Sequence, residues 1–384
     1  MDCKFPKEAQ RLYDDAAQFA ESSLAGGRPD SGFDRAGWRL LGAFGVFRRA
    51  ATREAQGGAG AIETVAILEG LGRGGADRGL LFAAGAHLFG CLIPLARYGT
   101  PAQIEAWEAS LRDGAIVGAL AVTEAAGGSS FENIATTAAA ADGGYRLSGE
   151  KTLITNAPAA GLTILVARQF PDRGALGLTA FLVPAGSAGL SVSPLPSQRG
   201  LRGATIGEIA FDGCSIPAEA VLGAPGAGLR VFSTAMCWER SLLLAGALGA
   251  AERELSLCVA AMRARGGKDS LLSRQAVTHR LARMTVRLEA ARGLLYRAAS
   301  ALDDGAEDQS AAAMAKLAVS EMLVANAEDG MRLMAGAAWR GAAPDFGAAL
   351  DDAFGALFAS GTPEMQLEVV ARALQTRPGG PRGS

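Results

Sequence analysis

Two stretches of the sequence carry groups that could bind a ligand. In the first, residues 118–130, an apolar run ends at a Thr-Glu pair, and two glycines and two serines follow. Glycines let backbone N–H groups converge without interference from Cβ atoms, and such a turn suits an anion, typically a phosphate. The second, residues 149–156, predicts a strand over 151–156 with the hydroxyls of Thr152 and Thr155. Together they could hold a flat heterocycle with a pyrophosphate tail, although glycine-serine turns also occur in ordinary hairpin crossovers.

These stretches resemble the flavin-binding region of the acyl-CoA dehydrogenase family, whose usual forms are T-E-P-x-x-G-S-D and G-x-K-x-W/F-I/V-T-N. The resemblance extends over nearly the whole chain and implies that the protein binds flavin adenine dinucleotide (FAD). It places Val122 and Thr123 against the flavin ring and Ser129 at the pyrophosphate. It also places Thr155 near the reactive edge of the flavin. Leu153 takes a position that is usually aromatic, so contact with the ring is retained and stacking is lost.

The same resemblance implies α,β-dehydrogenation of an acyl thioester. The α-proton of a thioester is weakly acidic, so its removal needs a carboxylate base in a dry pocket and donors on the carbonyl oxygen. Flavin accepts the accompanying hydride at N5, opposite the base. Most family members carry the base glutamate directly before Gly-Thr, where this sequence has Ser360.

A minority branch of the family carries its base on the first long helix of the C-terminal bundle, directly before an arginine. The run W-E-R matches that position, and we predict Glu239 as the base with the backbone N–H of Ser360 as an oxyanion donor. The alternative is a helix-surface glutamate that makes only an i,i+4 contact. Substrate or structural support is expected from three neighbours: Arg240, Gly361 and Thr362.

The substrate class is indicated by short runs. W-E-R, S-G-T at 360–362 and D-R-G-L-L-F at 77–82 resemble a sub-branch that oxidises acyl groups on carrier proteins in natural-product pathways. That sub-branch includes prolyl-carrier and hydroxymalonyl-carrier dehydrogenases. A thioester on a carrier protein and one on CoA both remain open. The electron acceptor is expected to be an electron-transfer flavoprotein or oxygen.

Two departures from the family pattern keep other functions open. The family's R-x-Q-F-G and Q-x-x-G-G-x-G, which serve the adenine and pyrophosphate end of FAD, are altered at 264–268 and 333–339. Each change removes hydrogen bonds worth about 1 kcal/mol apiece. A non-catalytic or half-site subunit, paired with a paralogous chain, is compatible with these losses. A flavin monooxygenase of the same fold would not need Glu239.

Composition excludes several classes of partner. With a net charge of −2 and 20% charged residues, the 384-residue chain has no electrostatic footprint for nucleic acid or an anionic membrane. Five cysteines without a C-x-x-C pair fit neither a zinc site nor a disulfide framework, so we expect a cytoplasmic protein without a metal. The N-terminus lacks an apolar signal core, and apolar runs such as 242–251 are too short to span a bilayer. His87 has no partner nearby in sequence and is expected to be structural.

Hydrophobic periodicity predicts an α+β protein in three regions. Residues 1–115 form an all-α N-terminal region. Residues 116–225 carry short strands of a β-barrel or sandwich, and the family resemblance implies the barrel. Residues 226–375 form a C-terminal helical bundle, and residues 376–384 a disordered tail.

The candidate helices lie at 8–24, 62–71, 80–98, 229–264, 276–302, 311–334 and 364–374. The C-terminal ones carry more apolar surface than one bundle would bury, which predicts assembly through them. By the family resemblance the assembly is a homotetramer, with a homodimer as the second possibility.

Overall fold

A computed structural model describes residues 5–24, 32–49, 60–128, 131–266, 269–341 and 346–376. Within them an N-terminal helical region, a middle β-sheet region and a C-terminal helical region follow one another along the chain, as predicted. The predicted tail begins one residue too early, because Thr376 is the last residue of a helix. Residues 377–384 lie outside the described residues.

Capping side chains mark the starts of several N-terminal helices. The side chains of Asp34, Asp77 and Thr100 each accept a hydrogen bond from the backbone N–H three residues further on. The predictions near 8–24 and 62–71 are confirmed, whereas the second, third and seventh helices were not predicted. The described helices are α1 (Lys7–Ser23), α2 (Arg35–Phe44), α3 (Val46–Arg49), α4 (Ala61–Gly74), α5 (Arg78–His87), α6 (Ile93–Tyr98) and α7 (Pro101–Arg112).

A π-helical segment, Leu88–Leu92, joins α5 to α6 in one helical stretch, Arg78–Tyr98. By length and composition this stretch could cross a membrane, which corrects the expectation that the apolar runs are too short. Within the described structure, however, 94% of its most apolar window is buried, and Leu88 and Phe89 belong to the main core. Burial at the centre of a folded domain accounts for the apolar composition.

The middle region is one sheet. Its described strands are β1 (Val117–Ala121), β2 (Thr137–Ala141), β3 (Gly144–Thr155), β4 (Ala160–Arg168), β5 (Leu178–Pro184), β6 (Leu190–Pro194), β7 (Ile206–Pro217) and β8 (Val221–Leu222). They follow the order β6-β7-β3-β2-β4-β5-β8, and β1 pairs in parallel with β4. The end strands β6 and β8 do not pair with each other among the described residues, so the predicted barrel is not confirmed.

Strand β3 is longer than the strand predicted in the stretch 149–156, since it is one strand of 12 residues that begins at Gly144. Its pairing with β7 shifts register between Leu147 and Gly149 and again between Lys151 and Ile154. Gly149 adopts a φ of +137°, and a Cβ there would lie 2.7 Å from the Cα of Thr136. A glycine therefore lets the strand bend without ending.

The C-terminal region is a bundle of described helices: α8 (Gly228–Leu242), α9 (Ala245–Ala264), α10 (Gln275–Asp303), α11 (Gln309–Met334), α12 (Gly336–Trp339), α13 (Phe346–Phe358) and α14 (Pro363–Thr376). The prediction of one helix over 229–264 is wrong, because the backbone leaves helical geometry at Leu244, with φ −92° and ψ 8°. Leu243 and Leu244 are both buried, and neither is a helix breaker. The break between α8 and α9 therefore lies in the buried core, at residue types that do not mark it in the sequence. Helix α13 was also not predicted.

A buried charge cluster joins the N-terminal and C-terminal helical regions. Arg78, at the start of α5, pairs with Glu254 of α9 and with Asp352 of α13, the latter at 3.4 Å. The other carboxylate oxygen of Asp352 accepts a hydrogen bond of 2.6 Å from the backbone N–H of Leu201. Since an unpaired buried charge is strongly unfavourable, these partners hold the two regions and the loop at Leu201 together.

Candidate active site

A cavity of about 820 Å³ lies between the sheet and helices α8 and α13. A cavity of this size suits a small-molecule ligand. It is lined by nine of the ten predicted site residues: Val122, Thr123, Leu153, Thr155, Glu239, Arg240, Ser360, Gly361 and Thr362. The tenth, Ser129, lies outside the described residues.

Glu239 lies on α8 and reaches the cavity from a buried position. Its side chain is 9% exposed, so the alternative of a surface glutamate is wrong. Its Oε2 accepts a hydrogen bond of 2.6 Å from the Ser360 hydroxyl, while Oε1 accepts none from the described residues. Burial raises the pKa of Glu239 to about 7, although the Ser360 hydroxyl and the Arg240 charge both act to lower it. A carboxylate with one free oxygen and a pKa near neutrality is suited to accept a proton.

The turn that carries Ser360 has an unusual backbone. Ser360 and Gly361 both have positive φ, +54° and +102°. At 361 a Cβ would lie 2.7 Å from Nε2 of Gln366, so both the backbone angle and the space favour glycine. The backbone N–H of Ser360, predicted as an oxyanion donor, donates to no described residue and is free for a ligand.

Three side chains from different helices hold this turn. Arg240 Nε donates to the Ser360 carbonyl at 3.1 Å, and Gln366 Nε2 donates to the same carbonyl at 3.1 Å and to that of Gly361 at 3.0 Å. Lys316 Nζ donates to the Gly361 carbonyl at 2.6 Å. Sequence reasoning missed Lys316, which no motif marks, as well as the hydroxyl of Ser360. The resembled family usually carries the run Y-E-G-T-S-E-I-Q here, with its glutamate at position 360. Gln366 matches the last residue of that run and could have been found by this match.

A buried ion pair supports the part of the cavity wall that contains Val122 and Thr123. Lys151 Nζ donates to Glu124 Oε1 and to the carbonyl of Val122, both at 2.8 Å. Burial alone would raise the pKa of Glu124, but hydrogen bonds from Lys151 and Thr136 outweigh it and lower the pKa to about 2. The backbone N–H of Thr152 donates to the carbonyl of Thr123 at 2.9 Å. These bonds tie the end of β1 to β3 and hold Val122 and Thr123 at the cavity wall.

Beside this ion pair, the cavity wall combines an exposed apolar side chain with two hydroxyls. Leu153 adopts a φ of +56° at the second register shift of β3, a conformation that costs a non-glycine residue roughly 1–2 kcal/mol. Its side chain is 60% exposed and lines the cavity, with the hydroxyl-bearing Thr123 and Thr155 as further lining residues. An exposed apolar side chain and two hydroxyls give the apolar contact and the hydrogen-bonding groups that an isoalloxazine ring needs, so the described residues fit FAD.

His87 is structural, as predicted. Its Nδ1 accepts a hydrogen bond of 2.9 Å from the N–H of Gly118, and its Nε2 donates to the carbonyl of Leu111 at 3.0 Å. Burial lowers the pKa of His87 to about 4, so the ring is neutral at physiological pH. Among the described residues no group of three or more His, Cys, Asp or Glu side chains could hold a metal ion.

The altered segments at 264–268 and 333–339 lie against each other. Arg265 donates from its guanidinium to the carbonyl of Leu333 at 3.2 Å. None of the described residues in either segment lines the cavity, and Trp339 is 87% exposed. Gly267 and Lys268 lie outside the described residues.

We predict that Glu239 titrates near pH 7 in the folded protein and that Ser360→Ala raises its pKa further, because the lost hydroxyl donates to the charged carboxylate. The measurement is an NMR titration with isotope-labelled glutamate carboxyl carbons, in which Glu239→Gln identifies the signal. Ser256→Ala, which removes an exposed helix hydroxyl, is the control. A Glu239 pKa near the ordinary value of about 4.3 would contradict the prediction.

Comparisons with known proteins agree with this geometry. Models of the acyl-CoA dehydrogenase N-terminal, middle and C-terminal domains match residues 6–115, 119–214 and 226–375. The L-prolyl-[peptidyl-carrier protein] dehydrogenase of Pseudomonas fluorescens is 39% identical over 344 residues, covering 88% of this chain and 90% of that protein. The protein of the same name from a Serratia species is 36% identical over 343 residues, covering 88% of each chain.

A solved structure described as PigA with FAD and proline superposes with a TM-score of 0.91 at 33% identity. The match covers 98% of this chain and 100% of that one. Together with the three domain matches, it confirms the relationship that the flavin-binding motifs predicted. The chain belongs to the acyl-CoA dehydrogenase family.

Proposed function

We propose that this protein is an FAD-dependent dehydrogenase that removes two hydrogens from the Cα–Cβ bond of an acyl thioester. The observation that carries the proposal is the buried Glu239 carboxylate, which lines the cavity with one oxygen free of hydrogen bonds from the described residues. The names of the matched carrier-protein dehydrogenases and the FAD in the related structure support the same activity.

The cofactor would be held by the residues already described at the wall of the cavity. Val122, Thr123, Leu153 and Thr155 would contact the flavin ring, and Ser129 would lie near the pyrophosphate. When bound, FAD supplies the acceptor for the hydride that leaves Cβ. The threonine hydroxyls and the backbone of Val122 give polar contacts, while Leu153 supplies an apolar face.

Glu239 would take the α-proton of the substrate. With a pKa near 7, about half of the molecules hold the charged carboxylate at neutral pH, and the rate should rise with pH as the remainder ionise. The Ser360 hydroxyl holds one carboxylate oxygen, which leaves the other to receive the proton. The Ser360 N–H would donate to the thioester oxygen, where negative charge develops as the proton leaves.

The thioester is proposed to be carried by a carrier protein, with a CoA thioester as the second candidate. Support comes from the carrier-protein dehydrogenases that match at 39% and 36% identity. An electron-transfer flavoprotein or oxygen would then reoxidise the reduced flavin. We also propose that the protein acts in the cytoplasm without a nucleic-acid or membrane partner.

The buried carboxylate favours this function over the two alternatives. A half-site subunit would have no need of an ionisable group buried in its cavity, and a flavin monooxygenase would need no base at this position. Burying Glu239 carries a desolvation penalty, which is readily explained where the group takes part in the reaction.

We expect Glu239→Gln to retain FAD and to slow anaerobic reduction of the flavin by roughly 10²- to 10⁴-fold, because glutamine keeps the shape but cannot accept the proton. Stopped-flow absorbance with the prolyl thioester of a peptidyl carrier protein, and with prolyl-CoA, measures the rate and ranks the two carriers. Glu328→Gln, on the exposed side of α11, is the control. Reduction of the Glu239→Gln protein at the parent rate would exclude this base.

We expect one FAD per subunit, with an affinity that depends on the hydroxyls at the cavity. Thr155→Ala and Ser129→Ala should each weaken FAD binding by about 2- to 10-fold, the worth of one hydrogen bond. Thr152→Ala is the matched control, because its hydroxyl donates to Glu208 and does not line the cavity. Fluorescence titration of apoprotein measures the affinities. Protein that takes up no FAD would refute the proposal.

We propose that the chain forms a homotetramer, or a homodimer, through its C-terminal helices. Apolar side chains on α12 to α14 are exposed in the single chain: Trp339, Phe358, Leu367 and Leu374. Leu374→Glu should therefore lower the molar mass measured by light scattering at micromolar concentration. Leu176→Glu, at an exposed site in the middle region, should not. A monomeric parent protein would contradict this assembly.

A further inference from the structure

Gly90 lies against the free oxygen of Glu239. A Cβ at this buried glycine would be 2.9 Å from Oε1 of Glu239 and 3.2 Å from the Cβ of Leu120. The first distance is below ordinary contact for a side-chain carbon, so any larger residue would push the carboxylate aside. The oxygen that faces Gly90 is the one to which no described residue donates a hydrogen bond.

The backbone around Gly90 has a physical cause in the sequence. Gly90 lies in the π-helical segment Leu88–Leu92, in which the N–H of Ile93 donates to the carbonyl of Leu88, five residues earlier. Pro94 has no N–H to donate to the carbonyl of Gly90, and its ring crowds that carbonyl. A one-residue widening of the turn relieves this conflict, and such π turns are frequent at functional sites.

The segment touches α8 at two successive positions. Phe89 stacks on Trp238, with ring centroids 6.4 Å apart, and Gly90 packs on Glu239. The carboxylate is therefore confined from two sides, because Ser360 holds Oε2 and Gly90 limits the movement of Oε1. No other residue type would leave the backbone this close to the carboxylate.

We propose that Gly90, set by the π turn that Pro94 imposes, is a positioning residue that holds the Glu239 carboxylate in the orientation used for proton removal. The inference rests on the proposed role of Glu239 as the base. It adds to that role a second element of the fold, since the contact comes from the N-terminal region rather than from the C-terminal bundle. Displacement of a reacting group by even a fraction of an ångström lowers the rate of its step.

The test compares Gly90→Ala with Gly293→Ala, a helical glycine of α10 at which a Cβ would meet no atom within 4 Å. In Gly90→Ala we expect unchanged FAD affinity and KM, roughly 10-fold slower flavin reduction by the prolyl-carrier thioester, and a higher Glu239 pKa by NMR titration. The pKa should rise because the methyl group desolvates the carboxylate and moves it from the Ser360 hydroxyl. Gly293→Ala should match the parent in every measurement.

A folded Gly90→Ala protein with the parent pKa and the parent rate overturns the proposal. A rate loss that only follows the loss of bound FAD overturns it as well. If Gly90→Ala does not fold, Pro94→Ala restores the missing N–H without placing an atom at the carboxylate. This variant should also slow reduction and move the pKa, and parent values for both would overturn the proposal.

The NMR readout separates this inference from the proposed function. A Glu239 pKa that moves in Gly90→Ala supports the positioning contact even if no thioester reduces the parent protein, in which case the proposed function alone fails. A pKa that does not move, in protein that thioesters reduce at the same rate in parent and variant, leaves the function intact and removes the role of Gly90.

Discussion

The burial of one ionisable carboxylate is the constraint on which this site depends. A glutamate in the unfolded chain loses its proton near pH 4.3. Folded Glu239 keeps its proton until about pH 7, because burial disfavours the charge. Below the unfolded pKa, ionisation of Glu239 therefore does not affect the free energy of unfolding. As the pH rises from the unfolded to the folded pKa, the free energy of unfolding falls by on the order of 3 kcal/mol. Other interactions of the fold must offset this loss of stability. In return, the buried Glu239 has a pKa that suits a base at neutral pH.

Two buried glutamates, Glu239 in the cavity wall and Glu124 outside its lining, show how environment separates structural from chemical roles. Glu124 is held in the charged form by Lys151 and by donors from Thr136, which lower its pKa to about 2, so it serves as a fixed tie between strands. Glu239 receives a single hydroxyl from Ser360 and therefore stays titratable. The same side chain thus takes opposite pKa shifts in two environments of one protein.

The backbone of one turn in the site is held in place by side chains from three helices. The turn at Ser360 is held by Arg240, Gln366 and Lys316, which come from α8, α14 and α11. On the opposite side, the π segment brings Gly90 against the carboxylate. The N-terminal and C-terminal regions thus meet at Glu239, and a change at Gly90 or in the Ser360 turn is expected to alter its orientation or its pKa.

The sequence by itself determined the residues that carry recognisable chemistry and the broad order of the regions. Local runs around Thr123, Leu153, Glu239 and Ser360 identified the cavity lining, because a motif keeps its residue types wherever its fold is kept. Amphipathic periodicity predicted most of the long helices, since a helix must place its apolar side chains on one face.

Only the tertiary structure decided how distant segments meet. The structure alone shows the break in the helix at Leu244 and the end strands of the sheet that do not pair among the described residues. It alone shows that the Ser360 hydroxyl donates to Glu239. It also brought in Lys316 and Gly90, which no motif marks. These contacts join residues far apart in the chain, and the burial that raises the pKa of Glu239 exists only after the regions pack, so no local pattern of the sequence contains them.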